Sequence, residues 1–229
     1  MKYNIVFIYS LILGSYLNVV GTRSCAQPNS NQLRSYCDRC QRILTPQELI
    51  PVLSYILQRG RCRECREAIS MIYPVMEFLT ALVMTGLFWE YGWSLEFMFY
   101  SVLMSLLIIL TVSDIYYFKI SNRLLLLFAP VLLILSPLTI KEMLIGAGVQ
   151  LLIFILAILI YPSSIGMGDI KLFLLLGAVV GYDQSLWVLC LSSIFGVIYH
   201  IFFEADRIPF VPFILSGMIC TLVVGAVFH

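Results

Sequence analysis

The stretch FMFYSVLMSLLIILTVSD, Phe97 to Asp114, decides the fold. From Phe97 to Ser113 there is no charge; wound as a helix such a run spans about 25 Å, most of a bilayer's hydrocarbon core. A carboxylate then closes it. The surrounding composition is of the same kind: 61% hydrophobic residues, 12% charged residues and a mean hydropathy of +0.96. Water-soluble domains carry about 25% charged residues. The bilayer is therefore the solvent in which this chain folds, and a net charge of +1 excludes nucleic acid as its main partner.

Seven further stretches read the same way: Tyr3–Thr22, Met71–Trp89, Leu124–Ile140, Met143–Ile165, Leu172–Tyr182 (extended back through Asp169 and Lys171), Ser185–Phe203 and Ile208–Phe228. The expected fold class is all-α: a polytopic membrane bundle of about eight transmembrane helices. The first stretch has only Lys2 before it and no small-residue cleavage site after it, so it reads as a retained span.

Basic residues give the orientation, because they gather in cytosolic loops. Arg23, Arg34, Arg39, Arg42, Arg59, Arg61, Arg63 and Arg66 all fall between the first and second spans. Alternation then places Lys119, Arg123, Lys171 and Arg207 on the same side and leaves only Lys2 and Lys141 opposite, so twelve of fourteen basic residues agree. Both termini are expected outside. Trp89, Trp93 and Trp187 fall near the outer interfaces, where amphipathic rings settle.

Three segments follow: residues 1–22 as a first helix, 23–70 as a small polar cytosolic insert, and 71–229 as the main bundle. Within the insert, Ala26 to Asn31 reads as loop. Thr45-Pro46-Gln47-Glu48 has the residues of a helix start, with a capping-box glutamate. The apolar run Leu49–Leu57 is suited to lie against the membrane or the bundle. No internal repeat is evident.

The insert also carries two Cys-x-x-Cys pairs, Cys37/Cys40 and Cys62/Cys65. Each pair suits one knuckle turn, and two knuckles supply four thiolates to one tetrahedral ion, most simply a structural zinc. A reducing cytosolic loop disfavours disulfides instead. Arg39, Arg42, Arg61, Arg63 and Arg66 are expected to offset the thiolate charge and favour deprotonation. Cys25, Cys190 and Cys220 stand alone and read as apolar filler.

Asp114 ends the third apolar stretch, and Asp169 opens the sixth after Gly166-Met167-Gly168. By the topology above, both sit at the cytosolic ends of their helices. Carboxylates are costly in a membrane helix and mark function by default. Two held together cannot both ionise easily, which leaves an acid and a base around one water. Gly166 and Gly168 would let backbone approach such a centre, with Lys171 one turn on. The plainer alternative is that each aspartate caps a helix or pairs with Lys119, Arg123 or Lys171.

These motifs together resemble the type IV prepilin peptidases, membrane aspartyl proteases of the GxGD type. The resemblance rests on Gly14-Ser15-Tyr16-Leu17-Asn18-Val19-Val20, on Glu48 to Tyr55 with Arg59-Gly60-Arg61-Cys62, and on Tyr73 to Thr80. Gly166 to Lys171 and Ile208 to Phe213 extend it over nearly the whole chain. Ile120-Ser121-Asn122 departs from the family's Ile-Pro-Asp, and Val211 replaces a glycine. The resemblance implies catalytic Asp114 and Asp169, and zinc ligands Cys37, Cys40, Cys62 and Cys65. It also implies prepilin or pseudopilin substrates, S-adenosylmethionine as methyl donor to the new N-terminus, and the bacterial cytoplasmic membrane as location. Two other readings of the residues stay open: an ion-coupled transporter using the aspartates, or a scaffold whose zinc module docks a partner. Glu77, inside a span, is expected either to pair with a residue of the polar insert or to bind substrate; Asn18 and Arg23, at the end of another span, are secondary candidates for seating substrate or cofactor.

Overall fold

The computed structural model describes residues 2–25, 34–37, 39–160, 166–203 and 207–228, with backbone alone at 226–228. The loop expected over Ala26 to Asn31 lies outside the described residues. Among those described there is no strand beyond two isolated bridges, and the secondary structure is helical. Eight longer helices take up the eight apolar stretches: α1 (Lys2–Ser24), α3 (Ile72–Tyr91), α4 (Leu95–Tyr117), α5 (Asn122–Leu135), α6 (Ile140–Ile160), α7 (Met167–Val180), α8 (Tyr182–Phe203) and α9 (Val211–Phe228). A 3-10 turn (Pro46–Leu49) and the short α2 (Leu53–Leu57) lie between α1 and α3. Five helices, α1, α3, α4, α6 and α8, are long and apolar enough to cross a bilayer. The protein is a multi-pass membrane protein.

The chain forms two compact units, Met1–Gly92 and Trp93–His229. In the first, α1 packs along α3. A Cβ at Gly14 would stand 2.9 Å from Glu77 Cα and 3.0 Å from Thr80 Cβ, so glycine is what lets the two helices meet. Asn18 Nδ2 donates to the Tyr73 carbonyl at 3.1 Å on the same seam.

In the second unit α4 is the core. Every residue from Leu106 to Asp114 is buried, which explains why its sequence is apolar on all sides rather than striped. Helices α5 and α9 pack against it, and α7 joins α5, α6 and α8. By contrast α6 and α8 leave large apolar side chains such as Leu152, Leu159, Val197 and Ile201 exposed. Hydrocarbon chains accept that surface; water does not. Gly146 of α6 and Gly177 of α7 meet backbone to backbone, the small-residue contact typical of membrane helices. Gln150 Nε2 reaches Ser185 Oγ at 2.9 Å and ties α6 to α8.

The helix start expected at Thr45 is present but stops after one turn. Thr45 N–H and Oγ1 both donate to Glu48 Oε2, at 2.9 Å each. Ile50 is extended, as a residue before proline tends to be, and Val52 turns to φ 60°.

Candidate functional site

The four cysteines converge. Their sulfurs all lie within 4.8 Å of one another, and Cys37 Sγ stands 3.8 Å from Cys65 Sγ. A tetrahedral ion with sulfur ligands at about 2.3 Å requires sulfur–sulfur edges of about 3.8 Å. A disulfide requires about 2.05 Å. The donor set therefore fits a metal ion and not a cross-link.

The backbone explains how local sequence builds this cradle. In the first knuckle Cys37 N–H donates to Arg42 O and Gln41 N–H to Cys37 O, both at 2.9 Å. In the second, Cys62 N–H donates to Glu67 O at 2.9 Å and Arg66 N–H to Cys62 O at 3.0 Å. Gln41 and Arg66 share a left-handed φ of 58°, and the bridges Tyr36–Ile43 and Arg61–Ala68 flank the two turns. The knuckles are copies of each other, a repeat that the residue identities hide apart from the cysteines.

The expectation that arginines favour the thiolates holds at Arg42, whose guanidinium hydrogen-bonds Cys62, but backbone amides are the larger influence. Cys62 is buried and pushed down to about 6, chiefly by the amides of Cys65 and Glu64. The Glu67 amide acts on Cys65 in the same direction, yet burial and the neighbouring thiols outweigh it and push Cys65 up to about 11. One thiol ionises at the expense of the next, the condition that a divalent cation relieves. Arg42 is spent inside the module, and Arg63 Nε also stands 3.8 Å from Glu48 Oε1. Arg42 Nη2 meets Glu48 Oε1 at 2.6 Å and its Nε meets Glu64 Oε2 at 2.9 Å. The Arg42 guanidinium and the Thr45 amide hold the buried Glu48 carboxyl down at about 2.

Asp114 is buried on the last full turn of α4. Its Oδ2 accepts the Val211 N–H at 3.0 Å, and the Phe210 amide adds a second contact. Proline at 212 leaves no amide at the next position, so the first turn of α9 presents its free N–H groups to a carboxylate. Asp169 is half-buried on the first turn of α7 and lies within electrostatic reach of Asp114. The structure thus brings together the two aspartates that the sequence set 55 residues apart.

The glycines before Asp169 have separate jobs. A Cβ at Gly166 would stand 2.8 Å from Asp169 Oδ2, so a side chain there would press on the carboxylate. A Cβ at Gly168 would stand 3.0 Å from Ile120 Cβ, which places the turn after α4 directly on the start of α7. Among the described residues Lys171 forms no ion pair with an aspartate; its Nζ reaches Asn122 Oδ1 at 3.1 Å.

Elsewhere, Glu77 Oε2 accepts the Val52 N–H at 2.7 Å, so this carboxylate ties α3 to the insert. Asn18 is buried against Tyr73, and Arg23 Nη2 caps the Arg34 carbonyl at 3.0 Å. Sequence reasoning did not find Val211, Phe210 or Ile120 as neighbours of the aspartates. Only the motif Ile208 to Phe213 pointed there, because a backbone donor leaves no mark in residue type.

An all-helical membrane protein with paired acidic helix ends and a four-thiol metal cradle is a narrow class. Comparison with known proteins resolves it. Residues 8–91 match the Bacterial Peptidase A24 N-terminal domain, and residues 101–201 match the Type IV leader peptidase family. These ranges fall one in each compact unit. The chain is 36% identical to the prepilin leader peptidase/N-methyltransferase of Bacillus subtilis, covering 97% of this chain and 94% of that protein. It is 31% identical to the type 4 prepilin-like proteins leader peptide-processing enzyme of Escherichia coli, over 95% and 92%. The prepilin leader peptidase/N-methyltransferase of Aeromonas salmonicida gives 31% over 97% and 91%. No solved structure matches. The chain belongs to the type IV leader peptidase family.

Proposed function

We propose that this protein removes the leader from type IV prepilins or pseudopilins at the cytosolic membrane face and then methylates the new N-terminus. The observation that carries the reading is that Asp169 lies within electrostatic reach of Asp114, which is itself gripped by the Val211 amide. Two carboxylates so placed share one proton. The ionised one draws a proton from water, and the protonated one hydrogen-bonds the scissile carbonyl, so water attacks without a covalent enzyme intermediate. Gly166 and Gly168 keep the approach open for the substrate backbone, and Lys171 holds the neighbouring turn through Asn122.

The names of the relatives support the second activity. S-adenosylmethionine supplies the methyl group when bound. Structural zinc at Cys37, Cys40, Cys62 and Cys65 shapes residues 23–70 as a module between the first helix, 1–22, and the protease bundle, 71–229. The arginine-rich connection between α1 and α3 faces the cytoplasm of a bacterial inner membrane, with both termini outside. The test is cleavage of a prepilin by purified protein. Asp114→Asn and Asp169→Asn should each insert normally and lose cleavage by at least about 10³-fold. Substantial residual cleavage by either variant rules out the shared-proton mechanism.

A further inference from the structure

The segment that follows the Pro46–Leu49 turn does not behave as a loop in water. Leu49, Ile50, Leu53, Ile56 and Leu57 are all exposed, Ile56 at 62% and Leu57 at 66%. Five large apolar side chains within nine residues make a continuous patch rather than scattered surface residues. The patch is pinned beside a transmembrane helix. Val52 donates to Glu77, which lies five residues inside α3, about 7–8 Å along its axis. Tyr55 lines an open apolar groove of about 390 Å³ that continues along α3 through Met71, Val75 and Phe78 to Leu82. Those α3 residues are themselves exposed, as a lipid-facing stripe would be.

We propose that Ile50–Leu57 is a re-entrant element that dips into the headgroup–acyl boundary of the bilayer and is held there by anionic phospholipid. Three independent features agree with that placement. Tyr55 lines one groove with Val75 and Phe78 of α3, which keeps this segment alongside the start of that helix. Val52 has a left-handed backbone that a β-branched residue rarely adopts, and its amide is satisfied by a carboxylate. A backbone donor entering the bilayer must be satisfied from inside the protein, and Glu77 supplies that partner. Finally, Arg59 and Arg61 follow directly, are exposed, and form no ion pair among the described residues. Apolar side chains followed by free arginines are the pattern of an interfacial anchor on an anionic surface. The same arginines repel a basic leader peptide, which favours lipid over substrate as the occupant.

The experiment uses full-length protein in proteoliposomes, with Trp89, Trp93 and Trp187 changed to Phe and a single reporter, Leu57→Trp. Acyl-brominated lipid should quench this reporter strongly, and acrylamide should quench it weakly. A parallel reporter at the exposed polar position, Glu67→Trp, should show the reverse. Replacing phosphatidylglycerol by phosphatidylcholine, or introducing Arg59→Gln with Arg61→Gln, should weaken the bromine quenching at Leu57→Trp and leave Glu67→Trp unchanged. Acrylamide-dominated quenching at Leu57→Trp overturns the membrane placement. Bromine quenching indifferent to both lipid charge and the arginine changes overturns the anionic grip. Neither result depends on peptidase activity, so the failure of this inference is separable from failure of the proposed function.

Discussion

Replacing Gly177 by alanine tests whether the α6–α7 contact sets the position of Asp169. The new Cβ would lie 2.5 Å from the Gly146 carbonyl oxygen and 2.8 Å from Gln150 Cγ. Carbon and oxygen need roughly 0.7 Å more than that, and carbon and carbon about as much. The Gly146 carbonyl is helix backbone and cannot rotate away, so α7 must move off α6 as a body. Overpacking of this kind costs about 1–3 kcal/mol. Asp169 rides on the same helix eight residues earlier, and a misplacement near 1 Å at a reacting group costs about 10²-fold in rate. Gly177→Ala should therefore unfold earlier in detergent and cleave prepilin about 10- to 100-fold more slowly. Gly148→Ala supplies the control: it lies on α6, two residues from Gly146, and nothing comes within 4 Å of its new methyl. It should match or slightly exceed wild type in stability. If Gly177→Ala and Gly148→Ala give the same melting temperature and the same cleavage rate, the close contact does not position the site.

Cys37→Ser, Cys40→Ser, Cys62→Ser and Cys65→Ser should each lose metal, read as a fall from about one zinc per chain by elemental analysis of purified protein. Glu48→Gln should loosen the insert at neutral pH, measured as faster amide exchange over residues 42–67 in reduced, metal-free protein. The wild-type Glu48 carboxyl sits at about 2 against an ordinary 4.5. Its stabilisation is thus complete above about 4.5 and lost as pH falls toward 2, and Glu48→Gln should be flat through that window. Asp169→Asn should still methylate a pilin supplied already cleaved, detected by mass spectrometry of its N-terminus with labelled S-adenosylmethionine. Absence of any methyl group with wild-type protein would remove the second activity.

Much of this architecture could be read directly from residue types. Eight apolar stretches became eight helices, five of them long and apolar enough to cross a bilayer, because hydrocarbon leaves the backbone few other options and that constraint is written in composition. The cysteine cradle was legible for a different reason: Cys-x-x-Cys is a local geometry, complete within one turn. What stayed hidden depends on backbone and on distance along the chain. The Val211 and Phe210 amides look like any others in sequence, yet they are what hold Asp114. Gly146 and Gly177 are two glycines among fourteen until their helices are packed. Five arginines near the thiols looked equivalent. Only packing shows that Arg42 reaches Glu48, Glu64 and Cys62, that Arg63 leans on Glu48, and that the knuckle amides act most strongly on Cys62. Glu77 was recognisable as unusual, but its partner, a main-chain N–H on a strained valine, was not.

The bond from Val211 to Asp114 spans 97 residues. Helices emerge from the ribosome in order, so α4 is made and inserted long before α9 exists. Until α9 arrives, Asp114 lacks the Val211 and Phe210 amides that hold it. On the proposed mechanism, such a protease stays silent until α9 has been made. A chain stopped before Val211 should therefore insert and yet be inert, however intact its two aspartates are.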